Sequence, residues 1–315
     1  MQLHHGRDLR YIGRPGNLLK APGGGRGSNV RGNVTMAHPE RFLMAGVMGW
    51  PVAHSRSPKL HGYWLARYGV AGAYVPLGVK PERLPDAVKG LVALGFAGCN
   101  VTIPHKEAAL RLVDRIDPIA RRIGALNTIV AADDGSLDGF NHDAYGYIES
   151  LCEAKPNWRA DAGPAVVLGA GGSARAVVVS LADRGAKEIR LLNRTHARAL
   201  ALAREYGAPV EAFLWEERER ALEDAALLVN ATSQGMEGQL PLELSLERLP
   251  RTALVSDIVY IPLETPLLAA ARRRGNAAVN GLGMLLHQAQ PAFKAWFGVM
   301  PEVTPELRRM IEATI

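Results

Sequence analysis

Cysteine is nearly absent from this chain of 315 residues: Cys99 and Cys152 are the only two, far apart, with no second pair of ligands beside them. That excludes a disulfide scaffold and a cysteine zinc site, and it suits a chain kept in a reducing, cytoplasmic compartment. Long apolar runs are missing as well. Stretches such as 165–168 and 176–181 fall far short of the ~20 residues a membrane helix needs. His54 and His61 have no partner at metal-ligand spacing and read as structural residues, so no metal is expected. Acids are scarce at the start: residues 1–35 hold Arg7, Arg10, Arg14, Lys20, Arg26 and Arg31 against Asp8 alone. That segment carries five of the six net positive charges, which leaves the remainder nearly neutral and removes the argument for nucleic-acid binding. With Pro22-Gly23-Gly24-Gly25 and little apolar surface, residues 1–38 read as a disordered basic extension. An Arg-rich, acid-poor start also admits a targeting peptide, although no amphipathic pattern accompanies it, and Met36 is a candidate start.

What is present is a soluble globular composition, 48% hydrophobic and 22% charged, with length enough for two domains. From Arg41 onward short apolar runs alternate with helical patterns, the mark of α/β architecture. Strands are expected at 42–48, 73–75, 99–102, 128–131 and 137–140, and helices at 57–68, 84–94 and 144–153. Ser57-Pro58 reads as an N-cap followed by proline at the first helical position. After a linker at 156–164, strands at 165–168, 188–192, 227–230 and 254–258 alternate with helices at 172–184 and 195–205 to make a nucleotide-binding sheet. Two more helices are expected, at 284–297 and after Thr304-Pro305.

Gly169-Ala170-Gly171-Gly172-Ser173-Ala174 fits G-x-G-x-x-G/A between a strand and a helix, where glycines allow a tight turn and the helix amides await a pyrophosphate. The acid that grips ribose hydroxyls in NAD-binding folds is not at the end of the next strand. Asn193-Arg194-Thr195 stands there, with Arg198 one helical turn on, a set that suits the 2′-phosphate of NADP. Thr232, in the run 230–236 after another strand, is a further candidate to line the cofactor cleft.

Ahead of the nucleotide motif, Lys106 follows a strand and Pro104, and Asp143 lies 37 residues further on in Asn141-His142-Asp143. A free lysine is a poor base at neutral pH, so acid/base work would require a desolvated site and a partner such as Asp143. Lys106 could equally be a surface residue, and Asp143 could cap the helix that follows it. An acid/base pair upstream of a nucleotide fold points to a reductase.

Together these segments resemble the shikimate dehydrogenase family over residues 42–315. The resemblance rests on residues 49–61 (H-S-x-S-P-x-x-H), 100–106 (N-V-T-x-P-x-K), 124–128, 141–143, 169–174, 193–195, 230–236, 257–267 (D-x-V-Y-x-P-x-x-T-P-L) and 281–289. It implies an N-terminal α/β substrate domain plus a Rossmann-like NADP-binding domain, with C-terminal helices returning to the first. The boundaries are 39–143 with 282–315 for the shikimate-binding catalytic part and 144–281 for the cofactor part. Lys106 and Asp143 become the proton-handling pair, Ser55 and Ser57 the carboxylate binders, and Thr102, Asn127, Tyr260 and Gln288 the remaining substrate contacts. Ile258, Gly281 and Met284 would border the nicotinamide. The implied reaction is reversible, NADPH-dependent reduction of 3-dehydroshikimate to shikimate, a step toward chorismate and the aromatic amino acids. Monomer and homodimer both stay open.

Departures from the pattern are Gly62 for Asn, His142 for Thr, and Pro118 where many members carry an acid. Rival readings are an NAD-preferring quinate/shikimate dehydrogenase, disfavoured by Arg194 and Arg198, and a glutamyl-tRNA-reductase-like enzyme, which would need Cys99 as a nucleophile. A non-catalytic NADP- and shikimate-binding regulator is the rival from another class.

Overall fold

The computed structural model describes residues 42–315, and the expectations for residues 1–38 lie outside them. Two six-stranded sheets organise this part of the chain. The first is built from β1 (Leu43–Gly49), β2 (Gly72–Gly78), β3 (Phe96–Val101), β4 (Arg115–Ile116), β5 (Thr128–Ala131) and β6 (Leu137–Phe140), in the order β2-β1-β3-β5-β6-β4. β1 pairs in parallel with both β2 and β3, whereas β5 runs antiparallel to β3 and β6. Connecting helices are α1 (Ser57–Tyr68), α2 (Leu84–Ala93) and α3 (Pro118–Ile123).

α4 (Asp143–Ala154) leads to the second sheet, made of β7 (Ala165–Leu168), β8 (Ile189–Leu192), β9 (Val210–Phe213), β10 (Leu227–Asn230), β11 (Leu254–Asp257) and β12 (Ala277–Val279). Its order, β12-β11-β10-β7-β8-β9, is parallel throughout. That is the doubly wound arrangement, with its switch point between β7 and β10, where such folds bind dinucleotides. α5 (Gly172–Asp183), α6 (His196–Tyr206) and α7 (Pro266–Arg273) accompany it. All four residues of β7 are buried, as a strand covered on both faces requires.

The sheet therefore has six strands rather than the four expected. β9 and β12 were missed because they are short edge strands, and Ala277-Ala278-Val279 carries almost no strand signal. A second correction concerns Ser57. It is the first helical residue of α1, Arg56 occupies the N-cap position, and it is the Ser55 hydroxyl that accepts the Ser57 backbone N–H at 3.3 Å. By contrast, Thr304 caps as expected, its hydroxyl accepting from the Leu307 amide at 3.2 Å.

The chain ends by turning back. α8 (Leu282–Phe297) and α9 (Pro305–Glu312) lay Leu286, Phe293, Trp296, Leu307 and Ile311 into one core with Ala45, Leu60, Trp64 and Tyr74 of the first sheet and its helix. Gly98 makes part of this approach feasible. A side chain there would collide with the Ile129 carbonyl and the Trp296 indole nitrogen, and its φ of +150° is one that glycine adopts readily. Through that gap the Trp296 indole N–H donates to the Ile129 carbonyl at 2.9 Å, pinning α8 beneath β5.

Candidate active site

The loop that follows β3 meets the glycine turn that follows β7, and the candidate residues collect around that contact. β3 runs out into Thr102, whose amide still donates to the Met48 carbonyl of β1 at 2.9 Å, and the chain then turns to present Lys106. β6 ends just before Asn141, which receives the Asp143 amide on its side-chain oxygen and donates to the Ala125 carbonyl, both at 2.9 Å. These contacts aim the Asp143 carboxylate inward. Lys106 Nζ lies 2.5 Å from Asp143 Oδ2, with side chains 13% and 5% exposed. Lys106 is therefore not a free surface lysine, and Asp143 spends its carboxylate on Lys106 and Asn127 rather than on capping α4.

Asn127 forms the second tier. Its Nδ2 donates to Asp143 Oδ1 at 2.9 Å and to Gln288 Oε1 at 3.1 Å, while its Oδ1 accepts the His142 amide at 2.9 Å and the Thr128 hydroxyl at 2.9 Å. A carboxylate can only accept and a backbone amide can only donate, so these neighbours fix which way the Asn127 amide faces. Thr128 has then given away its only proton. Its oxygen accepts from Asn100 Nδ2 at 3.2 Å, and the contact of 3.1 Å to His142 Nδ1 requires the imidazole to carry a hydrogen on that nitrogen. Asn100 is held in turn by the Tyr74 hydroxyl, which donates to its Oδ1 at 2.6 Å. Burial pushes the His142 pKa down, against the opposing pull of Asp143, so the ring is neutral near pH 7.

The remaining substrate candidates surround this network. Ser57 and Gln288 are buried and Ser55, Thr102 and Tyr260 half-buried. Gln288, on α8, is anchored by its own donation to the Leu285 carbonyl at 3.0 Å. Burial raises the Tyr260 pKa, while proximity to Arg56 lowers it, which places Tyr260 beside the loop that carries Ser55 and Ser57. The departure at Gly62 touches none of this, since a side chain there would meet open space.

On the cofactor side, β7 passes through Gly169 and Ala170 into Gly171, Gly172, Ser173 and Ala174, with α5 starting at Gly172. The turn reaches across to the first sheet, where Lys106 Nζ donates to Ser173 Oγ at 3.3 Å. Beyond β8, Arg194 and Thr195 are exposed and Asn193 Nδ2 donates to the Thr195 carbonyl at 2.9 Å. Arg198 donates to the Ala170 carbonyl at 3.3 Å and sits 3.5 Å from Glu107, next to the candidate catalytic lysine. After β10, Thr232 donates its hydroxyl to Asn230 Oδ1 at 2.7 Å, and Asn230 Nδ2 donates to Asp257 Oδ1 at 3.1 Å. Gly281 donates its amide to the Val259 carbonyl at 2.9 Å and lies against the Ile258 backbone, and Met284 belongs to the apolar cluster that Ile258 packs against. The three expected nicotinamide neighbours are thus brought together.

Sequence reasoning gave Asn100, Thr128, Glu107 and Asp257 no individual role here, and named Asn230 only as part of the run 230–236. Their signal was available in part: polar side chains within or at the ends of otherwise apolar strands must find partners. The tRNA-reductase-like rival loses its nucleophile, because Cys99 is fully buried and burial pushes its thiol up to about 12. Among the described residues no helix is long and apolar enough to cross a membrane.

A doubly wound nucleotide fold facing a buried Lys–Asp pair defines a pyridine-nucleotide-dependent oxidoreductase that handles a carbonyl and its alcohol. Family models agree on a narrower group. The shikimate dehydrogenase substrate binding domain matches residues 47–129, shikimate / quinate 5-dehydrogenase matches 153–241, and the shikimate 5′-dehydrogenase C-terminal domain matches 281–305. The chain is 58% identical over 268 residues to a shikimate dehydrogenase (NADP(+)) of Paramagnetospirillum magneticum, covering 85% of this chain and 97% of that one. It is similar to the crystal structure of the Thermus thermophilus shikimate 5-dehydrogenase with NADP(H) and shikimate, at TM-score 0.78 and 39% identity, covering 87% of this chain and 100% of that one. Quinate dehydrogenase from Corynebacterium glutamicum in complex with NAD is also similar, at TM-score 0.77 and 29% identity over 87% and 98% of the two chains. This chain belongs to the shikimate dehydrogenase family.

Proposed function

We infer that the protein is an NADP-dependent shikimate dehydrogenase, reducing 3-dehydroshikimate reversibly to shikimate on the way to the aromatic amino acids. The observation that carries this reading is the Lys106–Asp143 pair, buried at the carboxyl edge of one sheet and within hydrogen-bonding distance of the glycine turn of the other. Residues 39–143 with 282–315 would bind the substrate, and 144–281 the cofactor.

The residues fit NADP. A side chain built at Gly171 meets nothing within 4 Å, so the turn opens onto free space beside the unpaired amides at the start of α5. Gly169, Ala170, Gly171, Gly172, Ser173 and Ala174 would hold the pyrophosphate through the backbone amides of their turn, Thr232, Ile258, Gly281 and Met284 would border the rest, and Asn193, Arg194, Thr195 and Arg198 would read the 2′-phosphate. When bound, NADPH supplies the hydride. Lys106 Nζ then gives a proton to the substrate oxygen as negative charge develops there. Asp143 keeps the ammonium in place and offsets its charge. Asn127 bonds Asp143 directly and links Gln288 to it, so that both would lie beside the ring hydroxyls, with Ser55, Ser57, Thr102 and Tyr260 completing the substrate's surroundings.

Reduction of NADP followed at 340 nm with shikimate, then with quinate, and repeated with NAD, tests the reading. Strong turnover with shikimate and NADP alone is expected. Turnover with quinate or NAD of equal efficiency would move the protein to the broader quinate/shikimate group, and binding of NADP without turnover would favour a regulator. A cytoplasmic location and a homodimer belong to the same proposal, and light scattering on the purified protein checks the second.

A further inference from the structure

Lys106 reaches across the cleft between the two sheets. Its ammonium has three N–H donors and nothing that accepts. Asp143 Oδ2 takes one at 2.5 Å and Ser173 Oγ takes another at 3.3 Å, which leaves a single donor for a substrate oxygen. Serine in a helix's first turn usually serves the helix end. Ser173 does not. Gly171 occupies the N-cap position of α5 without a side-chain cap, and the Ser173 hydroxyl is turned toward the lysine. Gly172 leaves the room this needs, since a side chain there would come 3.1 Å from Lys106 Cβ.

We propose that Ser173 is a positioning residue for the proton donor, and that its hydroxyl acts on Lys106 rather than on the cofactor. One anchor, at Asp143, leaves Nζ free to swing about that contact as the lysine's side-chain torsions change. Two anchors, on opposite sides of the cleft, fix the position of Nζ, so the remaining N–H has one direction. The second anchor belongs to the turn that seats the pyrophosphate, so the element that positions the cofactor also orients the proton. This inference rests on Lys106 being the proton donor, as proposed above.

The test is a double-mutant cycle on the full chain: Ser173→Ala and Ser173→Thr, each made alone and together with Lys106→Ala. Steady-state rates would be measured with shikimate and NADP, and NADPH affinity by fluorescence titration. Ser173→Ala is expected to lower kcat roughly 5- to 20-fold, as suits one hydrogen bond to a charged group at part-buried depth. The KM for shikimate and the Kd for NADPH should stay within about twofold, and Ser173→Thr, which keeps the hydroxyl, should recover most of the rate. On the Lys106→Ala background, Ser173→Ala should change almost nothing, because the partner it acts through is gone. An equal fractional loss on that background, or a loss appearing as weaker NADPH binding, would overturn the proposal. Absence of shikimate turnover in the unmutated protein would instead overturn the functional reading, and the proposal with it.

Discussion

The tightest constraint on Lys106 is the absence of a side chain at Gly172, and adding one methyl group measures how much the chemistry depends on it. In Gly172→Ala the new carbon would sit 3.1 Å from Lys106 Cβ, 3.4 Å from Cδ and 3.5 Å from Ala125 Cβ. Carbon pairs rest at about 3.5–4.0 Å, so relief requires a shift of roughly 0.5 Å. Lys106 Cβ is bound to its own backbone and cannot swing aside as the end of a long side chain could. A misplacement of about 1 Å can cost on the order of 100-fold in rate, so half that shift points to a kcat lower by about 10-fold. Stability should move the other way or hardly at all, because alanine at a compatible helix start gains about 0.4–1 kcal/mol over glycine, partly offset by the contact. The assay is kcat at saturating shikimate and NADP beside a thermal melt. A rate within twofold of the parent, with the whole defect in the KM for NADP, would refute the claim that the turn confines the lysine.

Other outcomes follow from the same geometry. Lys106→Ala should lower turnover by roughly 100- to 10,000-fold with a modest effect on NADPH binding, and a loss of cofactor affinity as large as the loss of rate would contradict its role. Arg194→Ala should raise the KM for NADPH and leave that for NADH nearly unchanged; equal increases for both would remove Arg194 from the 2′-phosphate site. His61 is fully buried against Tyr74, stacked at 4.0 Å, and burial pushes its pKa down to about 3. The unfolded chain takes up a proton there below about 6.5 and the folded one does not, so this residue's share of stability falls as pH drops from about 6.5 toward 3. His61→Phe should therefore flatten the fall in Tm over that window; parallel curves for parent and variant would show that the imidazole is neutralised by other means. At neutral pH the same variant should melt higher, since both ring nitrogens are buried without a hydrogen bond.

Much of the site could be read before the fold was known, because its parts are local. The glycine turn lies between a strand and a helix, Asn193-Arg194-Thr195 replaces an acid, and Lys106 follows a strand and a proline. Harder to read were contacts joined only in space. Lys106 and Ser173 are 67 residues apart, and Trp296 and Ile129 are 167 apart. Glu107, an exposed acid in the sequence, becomes notable only where the fold sets it 3.5 Å from Arg198. The helix also begins one residue earlier than Ser57-Pro58 suggests, because the Arg56 carbonyl accepts the Leu60 amide and Arg56 takes the cap position. β12 escaped notice because three small residues at a sheet edge owe their conformation to β11 rather than to themselves.

The return of α8 and α9 to the first sheet also sets an order of events at the ribosome. Tyr74 and Leu60 emerge early, yet the residues that close their core, from Leu282 to Ile311, emerge last. At ~5–20 residues per second, the ~230 residues between Tyr74 and Leu307 take on the order of 10–50 s to synthesise. Throughout that interval the nascent first sheet lacks one wall, while the second sheet has received all of its strands by Val279. The second sheet is complete before the core of the first can close, and a chain ending short of Leu282 would lack Gln288 and the wall over its aromatic core.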